Sequence, residues 1–296
     1  MIALARVLLI HLSRRRILQI SRLVGDLAFF LSRRHRMYAT ANIEVIFGTG
    51  LSKKRQRAII RKHFRNTARV LLDLFWFSHD GRARLDRWSG IAPGLRSWLN
   101  AHPGAIIVTG HIGNWEVAGQ TVVAHGYPLT SVAKHIGTAG TTQRLNRIRR
   151  RLGQKVVMAD GAVRGLIRAL QAGDFVALLL DQHVDPTQGG VWIDFFGLPA
   201  AVSSMPARLS QRFKVPVGIC IAQSLPDGRY CCHLLGVCET VDSDDPTSMT
   251  QAIMNVLATC IRRQPSQWLL AYKRWKRWPP GADSSQYPAY ARPWTP

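Results

Sequence analysis

Negative charge is scarce in this chain. Only 17 Asp+Glu stand against 40 Lys+Arg in 296 residues, a net charge of +23. So large a surplus calls for an anionic partner such as nucleic acid, acidic lipid or an acidic carrier protein. Cysteine is also sparse. The five cysteines are an odd number without a Cys-x-x-Cys spacing, so complete pairing is impossible and a reducing compartment is the simplest reading. Cys231 and Cys232 are adjacent and face opposite ways on a strand, with buried thiols as the first reading and a Cys231-Cys232-His233 metal site as the alternative. Long uncharged apolar runs are missing as well. Residues 3–11 are broken by Arg6 and residues 17–31 carry Arg22 and Asp26, so neither reaches the roughly 18 residues of a spanning helix. No small-residue cleavage site follows, and no signal peptide is expected. Gly-x-Ser-x-Gly, Gly-x-x-x-x-Gly-Lys-Ser/Thr and Gly-x-Gly-x-x-Gly are all absent, which leaves a serine hydrolase or nucleotide enzyme little support.

Hydrophobic residues make up 47%, enough for one large folded domain at this length. In residues 17–31 the polar positions Gln19, Arg22 and Asp26, then Arg33, leave Ile17, Leu18, Ile20, Leu23, Val24, Leu27, Phe30 and Leu31 on a wide apolar face. Basic runs at 14–16 and 33–36 border it. That pattern predicts an amphipathic helix lying on an anionic membrane surface, against the alternative of an ordinary core-packing helix. A further helix is expected over 53–78 and another from Pro93 to Asn100.

The chain is organised around Val108-Thr109-Gly110-His111-Ile112-Gly113-Asn114-Trp115-Glu116. Residues 105–108 form an apolar run after a Pro-Gly turn and read as a buried strand, and residues 117–124 read as a helix. On one continuous helix His111 and Glu116 would lie about 140° apart, so cooperation requires His111 on the turn and Glu116 in the first helical turn. Gly110 and Gly113 suit that turn. A neutral imidazole held by a carboxylate can take a proton from an alcohol, as a general base does in acyl transfer. Later strands are expected at 129–134, 155–158 and 175–180, with a helix at 163–171 between the last two, which argues a largely parallel sheet covered on both sides. Asp181 then ends a strand on the same edge as His111, where it either orients the base, binds the acceptor or caps the next turn. Lys134 at the end of the preceding strand either faces the same cleft or is solvated. Arg144, Arg147, Arg149, Arg150 and Arg151 crowd one helix with no acid to pair them. Trp268, Tyr272 and Trp275 interleave with basic residues, a pattern open to base stacking, to headgroup contact or to a structural helix return that clamps the sheet.

His-Ile-Gly-Asn-Trp-Glu resembles the histidine, four residues, acid signature of glycerolipid acyltransferases, in the form typical of the bacterial lipid A late acyltransferase family. Arg149 with its following Leu-Gly, Asp181-Gln182, the Phe-Phe-Gly at 195–197, and Pro265-x-Gln267-Trp268 with Arg274-Trp275-Lys276 are similar to further motifs of that family, in order, from about residue 15 to 280. The resemblance implies a glycerolipid-acyltransferase-like α/β fold. It divides the chain into a membrane-associating segment (1–37), an acyltransferase domain (38–280) and a Pro-rich tail (281–296). It also implies a fatty acyl transfer from acyl carrier protein or acyl-CoA to a hydroxyl of a membrane glycolipid such as a lipid A precursor, or of a lysophospholipid. His111 and Glu116 would be catalytic, with Glu116 fixing the tautomer. Gly113, Asn114, Arg149, Asp181 and Gln182 would bind substrate or the developing oxyanion. No metal or organic cofactor is implied, and the expected location is the cytoplasmic face of the bacterial inner membrane. The competing class is a basic nucleic-acid-binding protein; no zinc, basic-zipper or RNA-recognition signature supports it, and no specific nucleic acid is expected as partner.

Overall fold

The computed structural model describes residues 9–135, 137–240 and 245–295. Residues 3–8 of the first apolar segment lie outside them. Helices α1 (Arg14–Leu31), α2 (Arg33–Phe47), α3 (Lys53–Trp76) and α4 (Gly81–Trp88) lead into a seven-stranded sheet. Its strands are β1 (Ser89–Ile91), β2 (Ile106–Thr109), β3 (Leu129–Ala133), β4 (Lys155–Met158), β5 (Phe175–Leu179), β8 (Val217–Ser224) and β9 (Tyr230–Cys238). The order across the sheet is β1-β9-β8-β2-β5-β3-β4. Every neighbouring pair is parallel except β8 and β9, which the Pro226-Asp227-Gly228 turn joins as an antiparallel hairpin.

The covering helices follow from the composition of the strands. β2 is Ile-Ile-Val-Thr, buried on both faces, so it needs a layer on each side. Helices α5 (Pro93–Ala101) and α6 (Trp115–Ala124) supply Leu95, Trp98, Leu99 and Val122 to the face that presents Ile107 and Cys220. Helices α8 (Ala162–Gln171), α9 (Met205–Phe213) and α10 (Thr247–Arg263) pack on the face that presents Ile106, Val108 and Ile219. Helix α7 (Ala139–Arg150) precedes β4 at the edge. Between β5 and α9 lies a hairpin of β6 (Gly190–Phe195) and β7 (Leu198–Ser203), which closes over the larger core with Ile193, Phe195 and Val202. The tail also packs: β10 (Arg277–Trp278) pairs with β11 (Arg292–Pro293), and Tyr287 and Ala291 are buried.

Helix α1 lies along α3. Ile17, Ser21, Gly25 and Phe29 face inward at helical spacing, and a Cβ on Gly25 would stand 2.4 Å from the Arg65 Cα, so only glycine permits this approach. Asp26 receives bidentate hydrogen bonds from both Arg61 and Arg65 at 2.6–2.8 Å, which holds its carboxyl far below the usual carboxylate range. At the other end, Arg14 is buried against Asp73, which also accepts from the Tyr230 hydroxyl, and Arg14 donates to the Gly228 carbonyl at 2.7 Å. The first helix is thus tied to the sheet by paired, desolvated charge. The apolar face expected on residues 17–31 is therefore divided. Ile17 and Phe29 enter the core, whereas Leu23 (71% exposed), Leu27, Phe30 and Leu31 (74%) face outward with Met37. Among the described residues no helix is long and apolar enough to cross a membrane.

Candidate functional site

The turn from β2 to α6 is fixed from behind. Gly113 has φ +66°, and a Cβ there would come within 1.9 Å of the Ala222 carbonyl oxygen, so the position admits only glycine. Its N–H donates to the Gln267 carbonyl at 2.9 Å, and the Asn114 N–H donates to Ala222 at 2.9 Å. The Asn114 side chain, fully buried, caps α6 by accepting from the Val117 N–H at 3.1 Å. These residues were expected to supply oxyanion donors. Their backbone donors are consumed instead in strapping the turn to β8 and to the segment after α10, so their contribution is to hold the loop.

That strapping presents His111 beyond the end of β2. Thr109 pairs in register with Leu179 on β5, so His111 and Asp181 each stand two residues past the same rung. The His111 Nδ1 lies 2.8 Å from Asp181 Oδ1, and the His111 backbone N–H donates to Oδ2 at 2.9 Å. The buried Trp268 indole N–H donates to Oδ2 at 2.8 Å. Burial pushes the Asp181 carboxyl up, but the charge and hydrogen bonds of His111 and the Trp268 indole outweigh it and leave it below its ordinary value. A carboxylate accepts only, so Nδ1 carries the proton and Nε2 is left with its lone pair. The Gln182 carboxamide nitrogen sits 3.3 Å from Nε2, and the Trp115 ring packs edge-on against the imidazole at 4.9 Å. The His111 side chain keeps 16% of its surface exposed while Asp181 keeps 2%, so the ring is reachable and its brace is not.

Glu116 does not make the contact expected of it. Its carboxylate accepts from Arg149 Nε at 2.9 Å and Nη2 at 2.7 Å, and Arg149 Nη1 donates to Asn146 at 2.9 Å. The brace on His111 is Asp181, and Glu116 joins α6 to α7 through Arg149. The physical reason is the geometry of the turn: once Asp181 holds both the ring and the backbone N–H of His111, Glu116 in the first helical turn meets the otherwise unpaired Arg149. Arg149 is thus not one of five unpaired arginines; Arg144, Arg147, Arg150 and Arg151 remain on the exposed side of that helix and beyond its end. Burial works against the Arg149 charge, and Glu116 more than restores it. Trp268 and Trp275 are fully enclosed, so neither base stacking nor headgroup contact is available to them. Residues 268–276 form a buried return under the sheet edge, with Leu269 donating to the His111 carbonyl at 3.0 Å. The sequence marks Trp268 as a motif member and as part of an aromatic and basic run; its place behind Asp181 has no local sequence signal.

A strand-end histidine braced by a buried carboxylate, at the carboxyl edge of a parallel sheet, defines an α/β protein with the apparatus of a general base. The chain belongs to the bacterial lipid A biosynthesis acyltransferase family, whose profile matches residues 1–277. It is 30% identical over 201 residues to a phosphatidylinositol mannoside acyltransferase of Mycobacterium tuberculosis, covering 65% of this chain and 61% of that protein. The Mycolicibacterium smegmatis protein of the same name is 28% identical over 183 residues, covering 61% and 60%. The lipid A biosynthesis lauroyltransferase of Escherichia coli is 24% identical over 274 residues, covering 88% of this chain and 85% of that protein. The chain spans about three fifths of the length of the mycobacterial relatives it matches.

Proposed function

We propose that this protein moves a fatty acyl chain from an acyl thioester, carried by acyl carrier protein or coenzyme A, to a hydroxyl of a membrane glycolipid such as a lipid A precursor. The observation that carries the reading is the His111–Asp181 pair, with Nε2 on the ring edge away from the carboxylate, beside Gln182. The acceptor hydroxyl takes the place of the Gln182 amide at Nε2 and gives up its proton as its oxygen attacks the thioester carbonyl. Asp181 steadies the imidazolium that forms. The tetrahedral intermediate collapses, the C–S bond breaks, and the thiolate recovers the proton from His111 Nε2. Developing negative charge on the carbonyl oxygen is met by the field of Arg149, which keeps two N–H groups beyond the three it donates to Glu116 and Asn146, and by the start of α6. No step calls for a metal or organic cofactor.

Two surfaces support the setting. The exposed Leu23, Leu27, Phe30 and Leu31 lie beside Arg22, Arg33 and Arg34 and suit an anionic bilayer surface, with the protein peripheral on the cytoplasmic face of the inner membrane. The exposed Arg144, Arg147, Arg150 and Arg151 suit an acidic carrier protein. The reading is tested by incubating the purified chain with an acyl thioester and a membrane glycolipid and weighing the products by mass spectrometry. A glycolipid heavier by one acyl group is expected; release of free fatty acid with the glycolipid unchanged would overturn the reading.

A further inference from the structure

A second group of cations stands at the same sheet edge, and the acyl-transfer chemistry does not use it. Lys134 directly follows β3. Ser131 pairs with Ala177 and Ile107 pairs with the same residue from the other side, so Lys134 reaches the rung of Gly110 with β5 between them. Two strand spacings put the Lys134 backbone about 10 Å from that of Gly110, just before His111. The return after Trp268 brings three more cations to this place. Burial holds the Lys276 ammonium below the ordinary lysine value, and Lys134, Arg277 and Arg274 lower it further, opposed only by Asp185. His183, two residues past Asp181, is likewise pushed down to about 4 by burial and then by Lys276 and Arg274.

Two acids, Asp185 and Asp181, do not balance the four cations. Among the described residues neither Lys134 nor Lys276 has an ion pair. Asp185 is occupied by the Thr187 hydroxyl at 2.7 Å and the Trp294 indole at 3.2 Å. Arg274 is fully buried over the Phe195 ring, and its Nε and Nη2 have no hydrogen-bond partner among the described residues. Asp181 favours the Arg274 cation but is already held by His111 and Trp268, so a sealed cation keeps unspent donors on two nitrogens. Lys134 is exposed and Lys276 half-buried, so a ligand can reach both ammonium groups while Arg274 acts from behind as a fixed charge.

We propose that Lys134 and Lys276, backed by Arg274 and Arg277, form a subsite beside His111 for the phosphate ester of a co-substrate. The inference rests on the acyl-transfer reading of His111 and adds a specificity element to it. A phosphate held there shares the sheet edge with the imidazole, so it fixes which hydroxyl, or which end of the thioester carrier, faces Nε2. The two sources of phosphate, the acceptor headgroup and the phosphopantetheine arm of the donor, share the chemistry that lysine recognises.

The probe is inorganic pyrophosphate, titrated calorimetrically into the full chain at low ionic strength. Saturable binding is expected in the native protein and equally in His111→Ala. It should weaken at least tenfold in the double variant Lys134→Gln/Lys276→Gln and stay unchanged in Arg147→Gln, which removes an exposed charge elsewhere. Both lysines are accessible, so the double variant keeps the fold, as circular dichroism will report. Equal affinity in the double variant, or an equal loss in Arg147→Gln, overturns the subsite. Steady-state kinetics then separate the sources. A raised KM for the glycolipid with the thioester KM unchanged assigns the phosphate to the acceptor, the reverse assigns it to the donor, and no change in either KM rejects the proposal. Because pyrophosphate binding does not need His111, failure of the subsite and failure of the general-base reading give different results.

Discussion

Asp181 holds His111 at two points, accepting the ring Nδ1–H at 2.8 Å and the backbone N–H at 2.9 Å, across 70 positions of sequence. One carboxylate therefore sets the tautomer, the ring orientation and the turn that carries the ring. Asp181→Asn keeps the shape and loses the charge. The expected outcome is a fall in kcat of about 10³-fold or more with KM little changed, since an amide cannot stabilise the imidazolium. Steady-state rates on folded protein check it, and a loss under tenfold would contradict the assignment.

Trp268→Phe removes the indole N–H that Asp181 Oδ2 accepts at 2.8 Å while leaving an aromatic ring in the core. A partner of this kind acts through the residue it orients, so kcat should drop by roughly 10-fold. The acid limb of the pH–rate profile should also move, because Asp181 is left with one fewer donor holding it ionised. An unchanged profile would show that the indole only fills space.

The Glu116–Arg149 pair is nearly enclosed, with side-chain exposures of 12% and 11%. Removing one partner leaves the other charge uncompensated, so Glu116→Gln should cost about 3 kcal/mol of stability in urea unfolding. The double variant Glu116→Gln/Arg149→Met should cost clearly less than the two single changes added together. Additive losses would mean that the pair contributes no coupling.

His63 is fully buried and held down to about 4 by that burial, against 6.5 in an unfolded chain. The unfolded state therefore binds the proton first as pH falls, so the neutral ring contributes stability above pH 6.5 that is lost progressively between 6.5 and 4. The loss is on the order of 3 kcal/mol. Thermal midpoints measured across this window should fall in the native chain and fall less steeply in His63→Gln, where His183 still titrates between the same limits. Equal slopes for the two would contradict the buried neutral state.

The outward residues of α1 make no core contact, so Leu23→Ser/Leu27→Ser/Leu31→Ser should fold normally. Each leucine moved into lipid is worth about 1.5–3 kcal/mol, and sedimentation with anionic vesicles should fall by 100-fold or more. Unchanged sedimentation would assign membrane contact to another surface.

Much of this arrangement was legible in the sequence. The apolar runs at β2 and β5, the Lys155–Met158 strand and the intervening helices gave the parallel sheet, because both-face burial and helical periodicity are local signals. The β6–β7 hairpin is not anticipated: Phe195-Phe196-Gly197 reads as a motif, although the buried Ile193 and Phe195 flank the exposed Asp194 as in a strand. The five-residue spacing points to Glu116 as the brace on His111, whereas Asp181, at the same sheet edge, has orienting the base as only one of three readings, because its partner lies 70 positions away. Strand register decides among those readings, since two parallel strands ending level place the residues two beyond each end side by side. The surroundings of Trp268 and Arg274 depend on a non-helical return whose course no periodicity marks.

The most direct trial of the whole account is single-turnover acyl transfer by His111→Ala, with folding verified by the same near-ultraviolet spectrum as the native chain. The account predicts a rate at least 10³-fold below native at saturating glycolipid and thioester, with pyrophosphate still bound. Transfer within tenfold of the native rate would contradict it.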